Sequence, residues 1–335
     1  MTIKERIEAF VKLGDHIRQI NEVQLNELQS KARAANNWFT TDAVATALKG
    51  IEINLHRDKL DQWLAKYSIR DQYKTVAVVM AGNVPAVGFH DLLCILLSGN
   101  VLMAKLSSKD TPIIEFLIHS LLELAPALQD RIILKDRLKD MDAVIATGSD
   151  NTARYFHYYF GKYPNIIRKN RTSVGILKGN ETPDDLQQLG HDIFLYYGLG
   201  CRNVSKLFVP ANYDPTSFLE SIAPFKTVLD HHKYQNNYDY NKSIYLVNKE
   251  EHLDNGFLLL KEEKNLVSPI SVLYYQRYQD DEQLATMLEK DKEKIQCVVS
   301  KEGQWPGSFS LGQAQFPGLS DYADEIDTME FLTRL

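Results

Sequence analysis

The stretch Val76-Ala77-Val78-Val79-Met80-Ala81-Gly82-Asn83-Val84-Pro85 decides how this chain is read. Five consecutive apolar residues ending in a polar turn suit a strand buried on both faces, as in a parallel sheet. A helix is predicted over 87–97, with Gly99 just past its end as a natural C-terminal cap. Residues 100–106 (NVLMAKL) read as a second strand. A helix follows over 111–124, opened by Thr111-Pro112 with Pro112 in the first turn. Strands are predicted over 131–134 and 142–147, and Gly148-Ser149-Asp150 opens a helix reaching about Phe160. The resulting β-α-β-α-β-β-α alternation marks a doubly wound α/β domain.

Working toward the N-terminus, residues 1–70 read as helices. Ile3, Ile7, Phe10, Val11, Ile17 and Ile20 recur at three- and four-residue steps, and residues 36–42 break the pattern. Thr41 is the expected N-cap of a helix over 42–55, and another helix is expected over 57–67. Working toward the C-terminus, a second α/β unit begins near 172. Its expected strands are 173–177, 206–209, 243–247, 256–260, 271–275 and 295–299, and its expected helices are 184–197, 215–225 and 279–290. From Gly303 onward the chain is turn-rich, and no internal repeat or low-complexity tract occurs.

The chain has 335 residues, 44% hydrophobic and 24% charged, which excludes a disordered, collagenous or long coiled-coil protein. With 38 Lys and Arg against 44 Asp and Glu, the net charge of −6 offers no general attraction to nucleic acid. No run approaches the ~20 apolar residues of a membrane span. The charged N-terminus has no apolar run behind it, so no signal peptide is expected. Three widely spaced cysteines without a CxxC argue against a disulfide framework. The expectation is a reduced, cytoplasmic protein.

Cys201 follows a Gly198-Leu199-Gly200 turn, where a thiol is reachable by a ligand, and Arg202 beside it would favour the thiolate. The competing reading is a small buried apolar residue. Asn83 lies at the end of the first parallel strand, where open α/β sheets bind ligands, and its amide could donate to an oxyanion; equally, Asn and Pro are ordinary turn residues. Lys105, followed by Ser107 and Ser108, ends the second strand and could hold a ribose or phosphate, or simply reach water. Gly148 and Ser149 lie at a strand-to-helix junction, where free N–H groups favour a phosphate. The histidines show no ligand spacing, so no metal is expected. His231-His232 reads as a polar surface pair, and the aromatic run over 155–160 as the packing face of a helix.

These signals occur in one order. Gly82-Asn83-Val84-Pro85, Gly99-Asn100-Val101-Leu102-Met103-Ala104-Lys105-Leu106-Ser107, Thr147-Gly148-Ser149 and Gly198-Leu199-Gly200-Cys201 together resemble the aldehyde dehydrogenase superfamily. Within it the chain is similar to the LuxC-type acyl-CoA reductases. The similarity extends to Asn37-Trp38-Phe39-Thr40, to Trp63-Leu64-Ala65-Lys66-Tyr67, and to the tail from Gln315 through Asp324 with Asp327-Thr328 and Phe331-Leu332.

The resemblance implies an aldehyde-dehydrogenase-like fold of two doubly wound α/β domains with an N-terminal helical segment. Residues 1–171 would be the helices and the dinucleotide-binding domain, and 172–300 the catalytic domain. Residues 301–335 would form a tail returning across the interface, with the site in the cleft between domains. It implies Cys201 as nucleophile, Asn83 as oxyanion amide, Lys105 on the adenosine ribose, and Gly148 and Ser149 by the cofactor pyrophosphate.

Two departures shape the expected chemistry. Members that hydrolyse their thioester carry a glutamate in Glu-Leu-Gly-Gly; here the region is Ile167-Arg168-Lys169-Asn170, without a carboxylate. Lacking general-base help worth about 10²–10⁴-fold, hydrolysis should be slow, which favours a thioester reductase over an acid-forming dehydrogenase. The glutamate that holds the nicotinamide ribose, in Glu-Ile-Phe-Gly-Pro, is replaced in Asn265-Leu266-Val267-Ser268-Pro269. Asn265, Glu262 or Glu263 would take its role. Ser108, with Lys109 adjacent, does not repel a 2′-phosphate, which favours NADPH, with NADH the alternative.

The expected function is nicotinamide-dependent reduction of an acyl-CoA or acyl-carrier thioester to the aldehyde. Acyl-transferring or acyl-activating partner enzymes are implied for the family. Alternatives are an acyl-phosphate reductase, a CoA-acylating aldehyde dehydrogenase, or a non-catalytic protein that keeps only the scaffold.

Overall fold

The computed structural model describes residues 1–70 and 73–335. Its elements, in chain order, begin with helices α1 (Ile3–Arg18), α2 (Glu22–Ala35), α3 (Thr41–Asn54) and α4 (Arg57–Leu64). Then come β1 (Thr75–Val79), α5 (Phe89–Ser98), β2 (Val101–Lys105), α6 (Thr111–Leu124), β3 (Ile132–Leu134), β4 (Ala143–Thr147), α7 (Asp150–Phe160) and β5 (Asn165–Arg168). After these lie β6 (Thr172–Ile176), α8 (Pro183–Phe194), β7 (Val204–Pro210), α9 (Thr216–Ser221), α10 (His232–Asn248), β8 (Leu253–Asp254) and β9 (Leu259–Glu262). The chain ends with β10 (Val272–Tyr278), α11 (Asp281–Asp291), β11 (Ile295–Ser300), β12 (Phe309–Ser310) and α12 (Thr328–Thr333).

These elements form two compact units, one of Met1–Asn170 with Pro317–Leu335, the other of Arg171–Phe316. In the first, a parallel sheet runs in the order β3-β2-β1-β4-β5. Val76, Val78, Leu102 and Ala104 pack on one face, with α1, α5 and α6. Ala77, Val144 and Ala146 pack on the other, with Met141. Burial of both faces explains why β1 is an unbroken apolar run. In α1, Ile7, Phe10, Leu13 and Ile17 are the buried stripe, which the helical period required. Thr2 caps this helix in a capping box with Glu5.

The tail is tied into this unit. Trp63 Nε1 donates to the Tyr322 hydroxyl at 2.8 Å, and the Tyr67 hydroxyl lies 2.7 Å from that of Tyr322 and donates to Asp327 at 2.8 Å. Two stretches read separately in the sequence as family-like are thus one hydrogen-bonded cluster.

In the second unit the sheet order is β12-β11-β6-β7-β10-β9-β8. All its pairings are parallel except β8 against β9.

The structure departs from the sequence reading in several places. The strand expected over 243–247 is the last part of α10. The four-residue apolar run Ile244-Tyr245-Leu246-Val247 does not separate strand from helix. The stripe that buries α10 is Tyr234, Tyr238, Asn241 and Tyr245, whereas Leu246 and Val247 face solvent. The aromatic run of α7 divides: Phe156 and Phe160, four apart, pack on the sheet. Tyr155, Tyr158 and Tyr159 fall on the far side and are exposed. His231 is buried rather than a surface residue, its ring stacked on His232 and packed against Tyr197. Thr40, not Thr41, caps α3, accepting from Ala43 N. β5 was not anticipated, because its short run ends in Arg168.

Candidate functional site

The order β3-β2-β1-β4-β5 places the C-terminal ends of β2, β1 and β4 side by side. Ligands of doubly wound sheets bind at that edge. Lys105 is the last residue of β2 and is exposed; Ser107 and Ser108 follow it. Asn83 is exposed in the turn after β1. Gly148 and Ser149 lead from β4 into α7. One edge therefore gathers Asn83, Lys105, Ser107, Ser108, Gly148 and Ser149. Ser149 acts as N-cap, its hydroxyl accepting from Thr152 N at 3.3 Å.

The two turns at the centre of this edge touch. A Cβ on Gly82 would lie 2.3 Å from Ser107 Oγ, so glycine is required there by close approach. Asn36 Nδ2 donates to Gly82 O at 3.2 Å, anchoring the turn from below.

Cys201 and Asn265 belong to the other unit. Cys201 is half-buried, whereas Cys94 and Cys297 are buried, and burial pushes both of their thiols up. Cys201 stands in a tight turn between α8 and β7. Asn203 N donates to Gly200 O at 3.1 Å. The Asn203 side chain accepts from Gly200 N at 2.8 Å and donates to the carbonyls of Asp192 and Ile193. Tyr197 and Gly198, with φ of 56° and 82°, make the left-handed bend that leads into it. Beneath the turn, buried Ser173 donates to Cys201 O at 3.0 Å and accepts from Cys297 N at 3.2 Å. Asp192 is buried and accepts from Gly312 N and Ala314 N. Burial pushes its carboxyl up to about 7 despite those two donors. Arg202 donates to Ala314 O and covers the Phe309 ring, so its guanidinium serves the 309–314 segment.

Asn265 shares this edge of the sheet. Ser205 Oγ, two residues after Asn203, donates to Leu266 O at 3.0 Å. From behind, the buried Lys206 ammonium donates to Lys264 O at 2.8 Å and to Gln276 at 2.7 Å, and burial lowers its pKa to about 8. Asn265 is exposed. Glu263 turns back on its own loop, accepting from Lys264 N and Asn265 N, and pairs with Lys261. Glu262 pairs with Arg277. Both carboxylates are committed to local partners.

Arg168, in the region where thioester-hydrolysing enzymes carry their base, is buried. It makes a bidentate pair with Asp91 at 2.7 and 2.9 Å and donates to Thr328 at 3.0 Å. Among the described residues no group of three His, Cys, Asp or Glu is placed to hold a metal, and no helix is long and apolar enough to cross a membrane.

Sequence reading missed Ser173, Asp192, Asn203 and Lys206, all polar and buried. Only Asn203 had a signal, its adjacency to the cysteine turn. Asp110 was missed too: an aspartate before Thr-Pro looks like an ordinary N-cap, but its side chain makes no cap bond.

The fold is that of the aldehyde dehydrogenases. An aldehyde dehydrogenase from Mycobacterium tuberculosis, solved with NAD+, matches with a TM-score of 0.62 at 13% identity, over 90% of this chain and 73% of its own. A variant of the Thermus thermophilus 1-pyrroline-5-carboxylate dehydrogenase matches with a TM-score of 0.62 at 12% identity, over 98% and 80%.

The model of the acyl-CoA reductase (LuxC) family matches residues 7–224, and the chain belongs to that family. The long-chain acyl-protein thioester reductase of Aliivibrio fischeri is 25% identical over 300 residues, which are 78% of this chain. The match spans 60% of that relative's length.

Proposed function

We propose that the protein reduces an acyl thioester, on CoA or a carrier protein, to the aldehyde through an acyl-enzyme on Cys201. The observation that carries this reading is the Cys201 turn. Of the three cysteines it alone is half-buried rather than buried, and it sits in a backbone loop held by the buried Ser173 and Asn203 side chains, in a chain of the acyl-CoA reductase family.

The Cys201 thiolate attacks the thioester carbonyl. The Asn83 amide and the Cys201 N–H donate to the oxygen as it gains charge, the kind of preorganised stabilisation that dominates acyl transfer. The leaving thiol departs and the acyl group stays on sulfur. The 167–170 segment carries no acidic residue to activate water, and the carboxylate beside it, Asp91, is held in a buried pair with Arg168, so the acyl-enzyme persists. A nicotinamide nucleotide, when bound, supplies the hydride that brings the acyl group to the aldehyde level.

The C-terminal edge of the five-stranded sheet fits such a nucleotide. Gly82 lets the turn after β1 pack against Ser107, Lys105 and Ser107 would reach a ribose or phosphate, and Gly148 and Ser149 would offer a helix N-terminus to a pyrophosphate. Ser108 and Lys109 are exposed, and the neighbouring carboxylate, Asp110, is buried and turned away, so a 2′-phosphate meets no repulsion and NADPH is preferred. Asn265, exposed in its loop, would hold the nicotinamide ribose. The substrate is a thioester rather than an acyl phosphate, in line with the family, and the reaction needs acyl donors made by an activating or transferring enzyme.

The test is mass spectrometry of protein incubated with acyl-CoAs of graded length, and in parallel with acyl phosphate, without reductant. An acyl adduct on the Cys201 peptide, absent in Cys201→Ala and discharged by NADPH, is expected from acyl-CoA. An unmodified Cys201, or an adduct from acyl phosphate alone, overturns the reading.

A further inference from the structure

We propose that Asp110 is a positioning residue for the Asn83 turn, its buried side chain fixing the shape in which that turn presents the Asn83 amide. The inference rests on the role given to Asn83 above.

Asp110 occupies the N-cap place of α6 and is only 1% exposed. Its backbone does the helix's work: Ile113 N and Ile114 N donate to Asp110 O, and Asp110 N donates to Ser107 O at 2.9 Å. The side chain does something else. It crosses to the turn after β1, where Oδ1 accepts from Ala86 N at 3.2 Å. Among the described residues Oδ2 has no hydrogen-bond partner. Among the described residues the carboxyl is thus neither a helix cap nor half of an ion pair, and the Ala86 N–H is its one hydrogen-bond partner.

Ala86 needs that contact. It is a non-glycine residue with φ of 56°, a left-handed conformation that persists only when its surroundings impose it. It is also buried, so water does not satisfy its N–H. The rest of the turn hangs on it: Phe89 N donates to Ala86 O at 2.9 Å as α5 begins, and Val87 N donates to Val84 O. Three residues upstream of this pinned point stands Asn83. One residue therefore joins two pieces of the candidate site, the Lys105–Ser108 turn by its backbone and the Asn83 turn by its side chain.

The role is that of a hydrogen-bond acceptor. Burial pushes the Asp110 carboxyl up to about 7, and the neutral acid still offers its carbonyl oxygen to Ala86. An asparagine does the same; an alanine leaves a buried N–H unsatisfied and the left-handed residue unsupported.

Full-length wild type, Asp110→Ala, Asp110→Asn, Asn83→Ala and the Asn83→Ala/Asp110→Ala double variant are compared for the rate of Cys201 acylation by acyl-CoA. NADPH affinity and hydrogen exchange over 82–88 are measured alongside. Asp110→Ala is expected to slow acylation about 10–100-fold, Asn83→Ala by a similar factor, and the double variant no further, because residues acting as one unit do not add. Asp110→Asn is expected within about threefold of wild type, and NADPH affinity of Asp110→Ala within the same range. Exchange over 82–88 should quicken in Asp110→Ala and not in Asp110→Asn. Should the alanine variant fail to fold, Asp110→Glu, which keeps the charge but displaces the acceptor by one methylene, is expected to show the same loss. Folded variants that acylate normally, losses that multiply, or unchanged exchange overturn the proposal. A wild type that takes no acyl group on Cys201 refutes the functional reading instead, and the exchange data then decide alone whether Asp110 holds the turn.

Discussion

The two sheet edges that carry the candidate residues are built differently. In the five-stranded sheet, Asn83, Lys105 and Ser149 sit where parallel strands end, and strand order brings them together, with the side chains of buried Asn36 and Asp110 bonded to the Asn83 turn. In the seven-stranded sheet, Cys201 and Asn265 precede β7 and β10, in loops that no strand ladder shapes. There buried polar side chains supply the shape: Asn203 and Ser173 hold the cysteine turn, and Lys206 holds the Asn265 loop. The first edge should therefore tolerate loss of a ligand-facing side chain without change in stability. The second should lose stability and chemistry together.

Asn203→Ala is the strongest way to test that contrast. It removes one acceptor and two donors from buried groups, which should cost about 2–3 kcal/mol of stability. Cys201 acylation should slow by about 100-fold, since small misplacements of a reacting group carry large kinetic penalties. Urea denaturation and adduct formation read both, and normal acylation by a destabilised variant would break the link between turn and thiol.

Lys105→Met is the converse. Lys105 is exposed at its strand end, so the denaturation midpoint should not move. NADPH affinity should fall by about tenfold through loss of a charge-assisted contact, with acylation in the absence of nucleotide unaffected. A change in acylation instead would mean the first edge serves the thioester.

A pH series sharpens the comparison further, because each unit buries a carboxyl raised to about 7 by desolvation, Asp110 in one and Asp192 in the other. A carboxyl with a raised folded-state pKa binds its proton more tightly folded than unfolded. Its contribution to stability is complete below the ordinary value of 3.8 and is lost as pH rises toward 7. Asp110→Asn carries no such titration. Its stability relative to wild type should therefore increase from pH 4 to pH 8, read from urea midpoints at each pH; a constant difference would show that Asp110 ionises normally. Glu52 acts in the opposite sense. Lys49, then Arg18 and His56, hold its carboxyl down to about 2, so its contribution is lost as pH falls from 4.5 toward 2.

The smallest effect is expected of Ser173→Ala. The hydroxyl's bond to Cys201 O is one of several that hold the turn, so a loss of about 1 kcal/mol and a few-fold slower acylation should follow.

Much of this was legible beforehand. The β1 run, the glycine that ends α5, the Thr-Pro start of α6 and the stripe of α1 are local patterns, and each is a direct consequence of strand or helix geometry. Cys201, Asn83 and Lys105 stood out because they flank such elements. The error at 243–247 has the same origin: Tyr234, Tyr238 and Tyr245 carry the buried face of α10, and their hydroxyls hid it from a reading of purely apolar residues.

The amino-acid order by itself determined the α/β alternation, the turns and the positions of the candidate site residues beside them, because burial periodicity and turn chemistry act over a few neighbouring residues. Only the tertiary structure decided what holds those residues in place. Arg168 reaches Thr328 across 160 positions and Asp192 reaches Gly312 across 120. A buried polar group must find a partner wherever the fold brings one, and that choice leaves no local mark in the chain.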